Sequence, residues 1–198
     1  MITIIDYGSG NLRSVQKALE HVGAQTQITQ NIDAIRAADK IVLPGVGAMQ
    51  PAMDKLRELN LIHVIKDTIA QGKPFLGICL GLQLLFEKSE EGGEVSGLGI
   101  LKGEVLKFRQ LKIPQIGWNQ ISVKNQSPLL ANIKPQSFVY FCHSYFVKPA
   151  DKNIIASSTE YGIEFTSSIW KKNIFGLQFH PEKSQTIGLQ ILKNFVTL

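Results

Sequence analysis

Cys79 lies between two glycines, in the run Gly77-Ile78-Cys79-Leu80-Gly81. The apolar residues 75–78 predict a buried strand, and residues 82–86 have helical character. A nucleophile in a tight turn between a strand and a helix is the elbow arrangement of many hydrolases, here with sulfur instead of oxygen. Peptide dipoles at a helix N-terminus favour the reactive thiolate. The alternative is that Cys79 is only a small buried hydrophobic residue.

A cysteine nucleophile also needs a base. Two of the four histidines fall in or between helical segments, which leaves His143 and His180. His180 directly follows the apolar run 174–179, and Glu182 stands two positions further on. A carboxylate at that spacing can fold back and orient the imidazole, as the third member of a triad does. The alternative is that His180 and Glu182 form an ordinary surface turn.

Acyl chemistry requires N–H donors for a developing oxyanion. The N–H of Leu80 is one candidate, and the turn Pro44-Gly45-Val46-Gly47 offers another, unless it is a plain strand-to-helix turn. The glycine-rich loop 6–11 lacks a full dinucleotide fingerprint and a phosphate-binding lysine, so we do not expect nucleotide binding. The cysteines and histidines show no paired ligand spacing, so neither a metal nor a cofactor is expected.

Short apolar runs alternate with helical segments over much of the chain. We predict a mainly parallel central sheet flanked by helices, with an added antiparallel region, in one α/β domain over residues 1–198. The predicted buried strands are 2–5, 41–43, 75–78 and 174–179. The predicted helices are 12–22 (capped by Asn11), 49–59, 61–70 and 187–195, the last with Leu189, Leu192 and Val196 on one face. The predicted antiparallel strands are 104–108, 120–123, 138–141 and 154–158.

Four polar or glycine-rich loops follow predicted parallel strands: 6–11, 44–48, 79–81 and 180–184. Ligands of open parallel sheets bind beyond the carboxyl ends of the strands. We therefore expect these loops to converge on one rim, with the active site there.

Composition narrows the function classes. The chain has 198 residues, 44% hydrophobic, with a net charge of +5. Its lysines are scattered, so a nucleic-acid site is not expected, whereas a basic face for a protein partner is plausible. Two cysteines, no signal-like opening and no long apolar run predict a cytoplasmic protein without a membrane segment.

Together these residues resemble the class I glutamine amidotransferases. The cysteine and His180-Pro181-Glu182 motifs are typical of the whole superfamily, whose fold is flavodoxin-like. Further segments point to the branch that serves a cyclase of histidine biosynthesis. They are Asp6-Tyr7-Gly8-Ser9-Gly10-Asn11-Leu12, Pro44-Gly45-Val46-Gly47-Ala48, Gly117-Trp118-Asn119, His143-Ser144-Tyr145 and His180-Pro181-Glu182-Lys183-Ser184.

The resemblance implies a division of labour. Cys79 attacks the side-chain amide of L-glutamine, His180 moves the proton and Glu182 orients His180, giving glutamate and ammonia through a thioester. Val46 and Leu80 supply the oxyanion N–H groups. The implied substrate contacts are Gly45, Gly47, Gln83, Glu91, Ser144 and Tyr145.

The resemblance also implies a partner, a (β/α)₈-barrel cyclase that binds the same rim as a heterodimer and receives ammonia through a closed channel. A dry path keeps ammonia from becoming ammonium. The implied interface residues are Asn11, Trp118 and Lys183, although Trp118 could be a core residue and Lys183 a solvated charge. We expect low activity without the partner, because the turn at 44–47 can rest with its N–H away from the substrate.

Three residues depart from the family pattern: Ser9, where a larger apolar residue is usual, Gln115, where histidine is common, and Cys142, where an aliphatic residue is usual. The first two fall in expected interface loops and therefore bear on the partner's identity.

Two alternative functions stay open. One is the same hydrolysis serving another synthase, such as one of surface-sugar synthesis, and the other is a non-catalytic binding module. Retention of Cys79, His180 and Glu182 argues against the second.

Overall fold

A computed structural model, which describes residues 1–198, contains a twelve-stranded sheet, a separate two-stranded ribbon and six α-helices. The strands are β1 (Ile2–Ile5), β2 (Thr26–Thr29), β3 (Lys40–Gly45), β4 (Phe75–Cys79), β5 (Phe86–Ser89), β6 (Val95–Ser96), β7 (Leu101–Lys107), β8 (Gln115–Gln120), β9 (Ser122–Val123), β10 (Phe138–His143), β11 (Tyr145–Pro149), β12 (Ile155–Glu160), β13 (Glu164–Lys171) and β14 (Ile174–Leu177). The helices are α1 (Leu12–His21), α2 (Ile32–Ala37), α3 (Met49–Glu58), α4 (Leu61–Ala70), α5 (Leu80–Gln83) and α6 (Gln185–Thr197).

The parallel half of the sheet has the order β2-β1-β3-β4-β14. Its strands β1, β3, β4 and β14 are mainly apolar and buried on both faces because helices cover both sides. Val42 packs in the core formed with α1 and α6, whereas Leu43 packs in the core formed with α3 and α4. The predicted parallel sheet is therefore confirmed.

The antiparallel region continues the same sheet from β14 through β13 and β11 to β7. The next strand, β5, differs from the prediction of an antiparallel region, because it pairs with β7 in parallel. The predicted strand 120–123 is wrong. Ile121 is buried between two short strands, of which β8 pairs with β10 in the ribbon and β9 pairs with β12 in the large sheet.

The predicted helical character of residues 82–86 is also wrong at its end. Helix α5 stops at Gln83, and Phe86 begins β5. The carbonyl oxygens of Leu84 and Leu85 accept hydrogen bonds from Leu98 and Leu101 instead of continuing a helix. Leu84, Leu85 and Phe86 are all apolar and buried, so periodicity alone could not separate the two structures.

Two smaller expectations about helices also need correction. Asn11 precedes α1, but its side chain makes no capping hydrogen bond. The buried face of α6 is Gly188, Ile191, Leu192 and Phe195, whereas the predicted Leu189 and Val196 are only partly buried. Strand β2 and helix α2 were not predicted, since β2 is a half-buried, polar strand at the edge of the sheet. None of the helices is both long enough and apolar enough to span a membrane.

We predict that Gly81→Ala destabilises the fold strongly. A Cβ at Gly81 would lie 1.7 Å from the carbonyl oxygen of Leu43, so backbone must move, and we expect a loss of about 3 kcal/mol or more in the free energy of unfolding. Gly23→Ala is the matched control. Its Cβ meets no atom within 4 Å, and its positive φ of 94° alone should cost about 1 kcal/mol. Urea unfolding measures both, and equal losses would contradict the prediction.

Candidate active site

Cys79 ends β4 in a sharp turn that leads directly into α5. Its φ is 54° and its ψ is −109°, a conformation that non-glycine residues rarely adopt. The turn is tight because the backbone approaches itself on both sides. A Cβ on Gly77 would lie 2.6 Å from the carbonyl oxygen of Gly81, and a Cβ on Gly45 would lie 2.1 Å from the hydroxyl oxygen of Tyr7. The predicted elbow is present, with glycines where close packing requires them.

His180 and Glu182 lie at the carboxyl end of the neighbouring strand β14. The imidazole Nδ1 of His180 is 2.8 Å from Glu182 Oε1, and both side chains are buried, with 5% and 1% of their surface exposed. The backbone N–H of His180 donates to the carbonyl of Tyr140, and Ser184 Oγ donates to the carbonyl of His180. These contacts fix the loop, so the pair is not an ordinary surface turn.

The electrostatics of His180 tie it to the cysteine. Burial lowers the pKa of His180, but hydrogen bonds and charge interactions with Cys79 and Glu182 raise it by more. The net effect is a pKa above the ordinary 6.5. The structure thus brings sulfur, imidazole and carboxylate together on one rim. A protonated imidazole beside sulfur stabilises a thiolate, as a cysteine nucleophile needs.

A family comparison can now be set beside this geometry. The sequence profile of the family described as "Glutamine amidotransferase class-I" matches residues 3–198. The chain belongs to the class I glutamine amidotransferases.

Two full-length relatives carry the same description. The protein "Imidazole glycerol phosphate synthase subunit HisH" of Aquifex aeolicus is 56% identical over 194 residues, which cover 97% of this chain and 94% of that protein. The HisH subunit of Bacillus subtilis is 45% identical, covering 100% of this chain and 96% of that protein.

Solved structures support the amidotransferase fold. PurLQS from Thermotoga maritima has a TM-score of 0.79 at 20% identity, covering 99% of this chain and 97% of that chain. A glutamine amidotransferase from the same organism has a TM-score of 0.68 at 16% identity, covering 91% of this chain and 75% of that chain.

The two predicted oxyanion donors are in different situations. Leu80 is the first residue of α5, directly after Cys79. The N–H of Val46 instead donates to Ser9 Oγ at 3.3 Å, and the Ser9 hydroxyl donates to the carbonyl of Val46 at 2.5 Å. One serine side chain therefore holds both polar groups of Val46, and its N–H is not free for a substrate. Gly47 follows with a φ of 93°.

Four of the predicted substrate contacts, Gln83, Glu91, Ser144 and Tyr145, already have hydrogen-bond partners within the chain. Gln83 Nε2 donates to the carbonyl of Tyr145 at 3.0 Å. Glu91 Oε2 accepts from the N–H of Met49 at 2.8 Å, at the start of α3, which leaves its other oxygen free of that bond. The carbonyl of Ser144 accepts from Phe108. Burial, and then the charge of Glu91, raises the pKa of Tyr145, which places these two side chains near one another.

The second candidate base, His143, is a neutral structural residue. Burial lowers its pKa to about 4, against the ordinary 6.5, and a hydrogen bond to Tyr145 only partly offsets this. Its Nδ1 is 2.8 Å from the carbonyl of Tyr145, so Nδ1 must carry the proton. Nε2 then accepts, and the buried amide of Gln115, 2.9 Å away, must present its NH₂ group. Phe108 and Phe165 enclose the ring.

The side chains of β8 and β10 that point to solvent form a mainly apolar surface, the ribbon face: Ile116, Trp118, Gln120, Phe138, Tyr140 and Cys142. Trp118 is 46% exposed and packs edge-on against Tyr140, so it is not a core residue. Lys183 Nζ lies 5.5 Å from the centroid of the Tyr140 ring, which joins the ribbon face to the His180 loop. Asn11 is also exposed.

Sequence reasoning missed Gln178. This residue is fully buried and lies next to Leu177 at the end of β14, with its side chain between Cys79 and Gln83. The available signal was a glutamine inside the otherwise apolar run 174–179. A polar side chain in a buried strand needs a partner, and such a partner is often functional.

We predict that His143 makes the fold less stable in acid. Its pKa is lowered in the folded state, so the unfolded chain takes up the proton first. The contribution is therefore complete above pH 6.5 and is lost as the pH falls towards 4, by about 3 kcal/mol. His143→Asn, which keeps a donor for Tyr145, should flatten the fall in unfolding free energy over this range. Parallel profiles from urea unfolding at each pH would contradict the prediction.

Proposed function

We propose that this chain hydrolyses L-glutamine to glutamate and ammonia as the glutaminase subunit of an imidazole glycerol phosphate synthase, in histidine biosynthesis. The observation that carries the proposal is the buried arrangement of Cys79, His180 and Glu182 at the rim of the parallel sheet. The identity to HisH subunits over nearly the whole chain supports the choice of synthase.

The geometry supports acyl transfer through sulfur. The Cys79 thiolate attacks the carbon of the glutamine side-chain amide, and the carbonyl oxygen becomes an oxyanion. The imidazolium of His180 gives its proton to the departing nitrogen, which leaves as ammonia, and a glutamyl thioester remains. Neutral His180 then takes a proton from water, which attacks the thioester and restores the thiolate and the imidazolium. Glu182 holds the imidazole in place at Nδ1.

The oxyanion donors in this proposal are the N–H groups of Leu80 and Val46. Leu80 is at the start of α5, whereas Val46 must first leave Ser9. A turn of this peptide, flanked by Gly45 and Gly47, completes the site, and a partner that favours the turned state activates the enzyme. The free oxygen of Glu91 suits the ammonium group of glutamine, and Gln83 and the 144–145 backbone border the same space.

The partner in this proposal is a (β/α)₈-barrel cyclase that forms a heterodimer with the chain, accepts ammonia through a closed channel and makes imidazole glycerol phosphate and AICAR. The ribbon face provides an apolar docking surface, with Trp118 as its anchor and Asn11 and Lys183 beside it. The departure at Gln115 does not bear on the partner, because this side chain is buried against His143. Of the two departures in expected interface loops, this leaves Ser9, whose side chain hydrogen-bonds Val46 within the chain.

Two further elements belong to the proposal. Residues 1–198 act as one domain, which is supported by a sheet that includes strands from β1 to β14. The chain works in the cytoplasm, where a reducing environment keeps Cys79 available, and both cysteines are free thiols in the structure.

We predict that Cys79→Ala lowers partner-stimulated glutaminase turnover by at least about 10³-fold, because no other group can form the thioester. Glu182→Ala should lower turnover by a factor roughly tenfold smaller than Cys79→Ala does, since it removes an orienting group and leaves the nucleophile. Glutamate release by the chain with its cyclase measures both. Turnover of Cys79→Ala at the wild-type rate would refute the assigned nucleophile, and circular dichroism of both variants controls for folding.

We predict that glutaminase turnover is low for the chain alone and rises when a histidine-pathway cyclase is added. Trp118→Ala should weaken cyclase binding by about 2 kcal/mol, a shift of roughly 30-fold in the cyclase concentration that gives half-maximal stimulation. Leu198→Ala is the matched control, since Leu198 is also exposed but follows α6 at the opposite end, where Lys40 binds the carbonyl oxygens of Phe195 and Val196. Equal turnover with and without cyclase would contradict the proposal that the chain alone rests with the Val46 N–H bonded to Ser9.

A further inference from the structure

Gln178 directly contacts the nucleophile. Strands β14 and β4 are parallel neighbours with Leu177 opposite Ile78. The next residues, Gln178 just after β14 and Cys79 at the end of β4, therefore come side by side. Gln178 Nε2 lies 3.7 Å from Cys79 Sγ, within range of an N–H···S hydrogen bond. The side chain is entirely buried, so its orientation is set by protein groups alone.

The direction of this hydrogen bond follows from a backbone carbonyl. The carbonyl of Tyr145 can only accept, so the group of Gln83 that faces it must be the NH₂ group. The same NH₂ group lies 3.1 Å from Gln178, which must therefore present its amide oxygen there. The NH₂ end of Gln178 is then left for sulfur. The assignment does not rest on telling amide oxygen from nitrogen in the coordinates.

The other polar groups around the sulfur complete the picture. The carbonyl of Cys142 lies 3.9 Å from Cys79 Sγ, where it can accept from the thiol but repels a thiolate. Cys79 also raises the pKa of the His180 imidazole and that of the buried Tyr7 phenol, so both groups interact electrostatically with the sulfur. The Cys142 carbonyl and the Gln178 amide thus act in opposite ways. Only the N–H of Gln178 interacts better with the thiolate than with the thiol.

We propose that Gln178 is a further catalytic residue, a fixed N–H donor that stabilises the Cys79 thiolate. The proposal rests on the proposed function and deepens it. The same donor favours expulsion of the thiolate when water opens the thioester, because negative charge returns to the sulfur in that step. The amide oxygen of Gln178 also accepts a hydrogen bond from Gln83, a proposed substrate contact. One buried amide therefore bonds both the sulfur and this residue.

The test is Gln178→Met, which keeps the length of the side chain but has no N–H. All variants carry Cys142→Ala, because Cys142 is an exposed thiol that would also be alkylated. Losing one hydrogen bond to a charged group should raise the pH midpoint of Cys79 alkylation by iodoacetamide by about one unit. Cyclase-stimulated kcat should fall by about 10- to 100-fold, with a smaller change in KM.

Gln115→Met is the matched control. It also removes a buried glutamine amide from a hydrogen bond, to His143, but that amide does not bond sulfur. This variant should leave the alkylation midpoint unchanged. If Gln178→Met does not fold, Gln178→Asn, whose shorter amide withdraws from sulfur, gives the same readout.

An alkylation midpoint that is the same for Gln178→Met and the Cys142→Ala background, with kcat within about threefold, would overturn the role of Gln178. Failure of the proposed function looks different. In that case the wild-type chain with cyclase would not hydrolyse glutamine, while the alkylation midpoint would still respond to Gln178→Met.

Discussion

The contact between the backbone of Leu43 and Gly81 is the constraint on which the site depends. Because the elbow packs directly on β3, a side chain at Gly81 would overlap the carbonyl of Leu43. Gly77 meets the same turn from below. Between these two contacts, the backbone at Cys79 holds a strained conformation where the buried strand β4 passes into the first turn of α5. Packing of the sheet thus stabilises the strained backbone of Cys79, the proposed nucleophile.

Parallel pairing then determines which residues meet the sulfur. The carboxyl ends of β3, β4 and β14 lie side by side, so Gly45, Cys79 and Gln178 form one row across three strands. His180 follows two residues later, where the chain turns and Ser184 bonds its carbonyl. Residues that are about a hundred positions apart in sequence therefore meet because β14 pairs in parallel with β4.

Local sequence patterns predicted the parts of the site that are set locally. The glycine spacing around Cys79 and the His180–Glu182 pair each lie within a few residues, so their geometry follows from turns. The hydrogen bonds of Gln178, Ser9 and Glu91 depend on strand order and register, which short patterns do not specify. Phe86 was misassigned for a related reason, since a fully apolar segment can be a strand or a helix until its backbone partners are known.

The two histidines behind the ribbon face show how one site separates charges. Aromatic packing lowers the pKa of His143, whereas sulfur and Glu182 outweigh burial and raise that of His180. A second imidazolium beside His180 would repel it and would need two acceptors. Neutral His143 instead donates to the carbonyl of Tyr145, the group that fixes Gln83 and, through it, Gln178. Neutral His143 therefore adds no second positive charge beside His180.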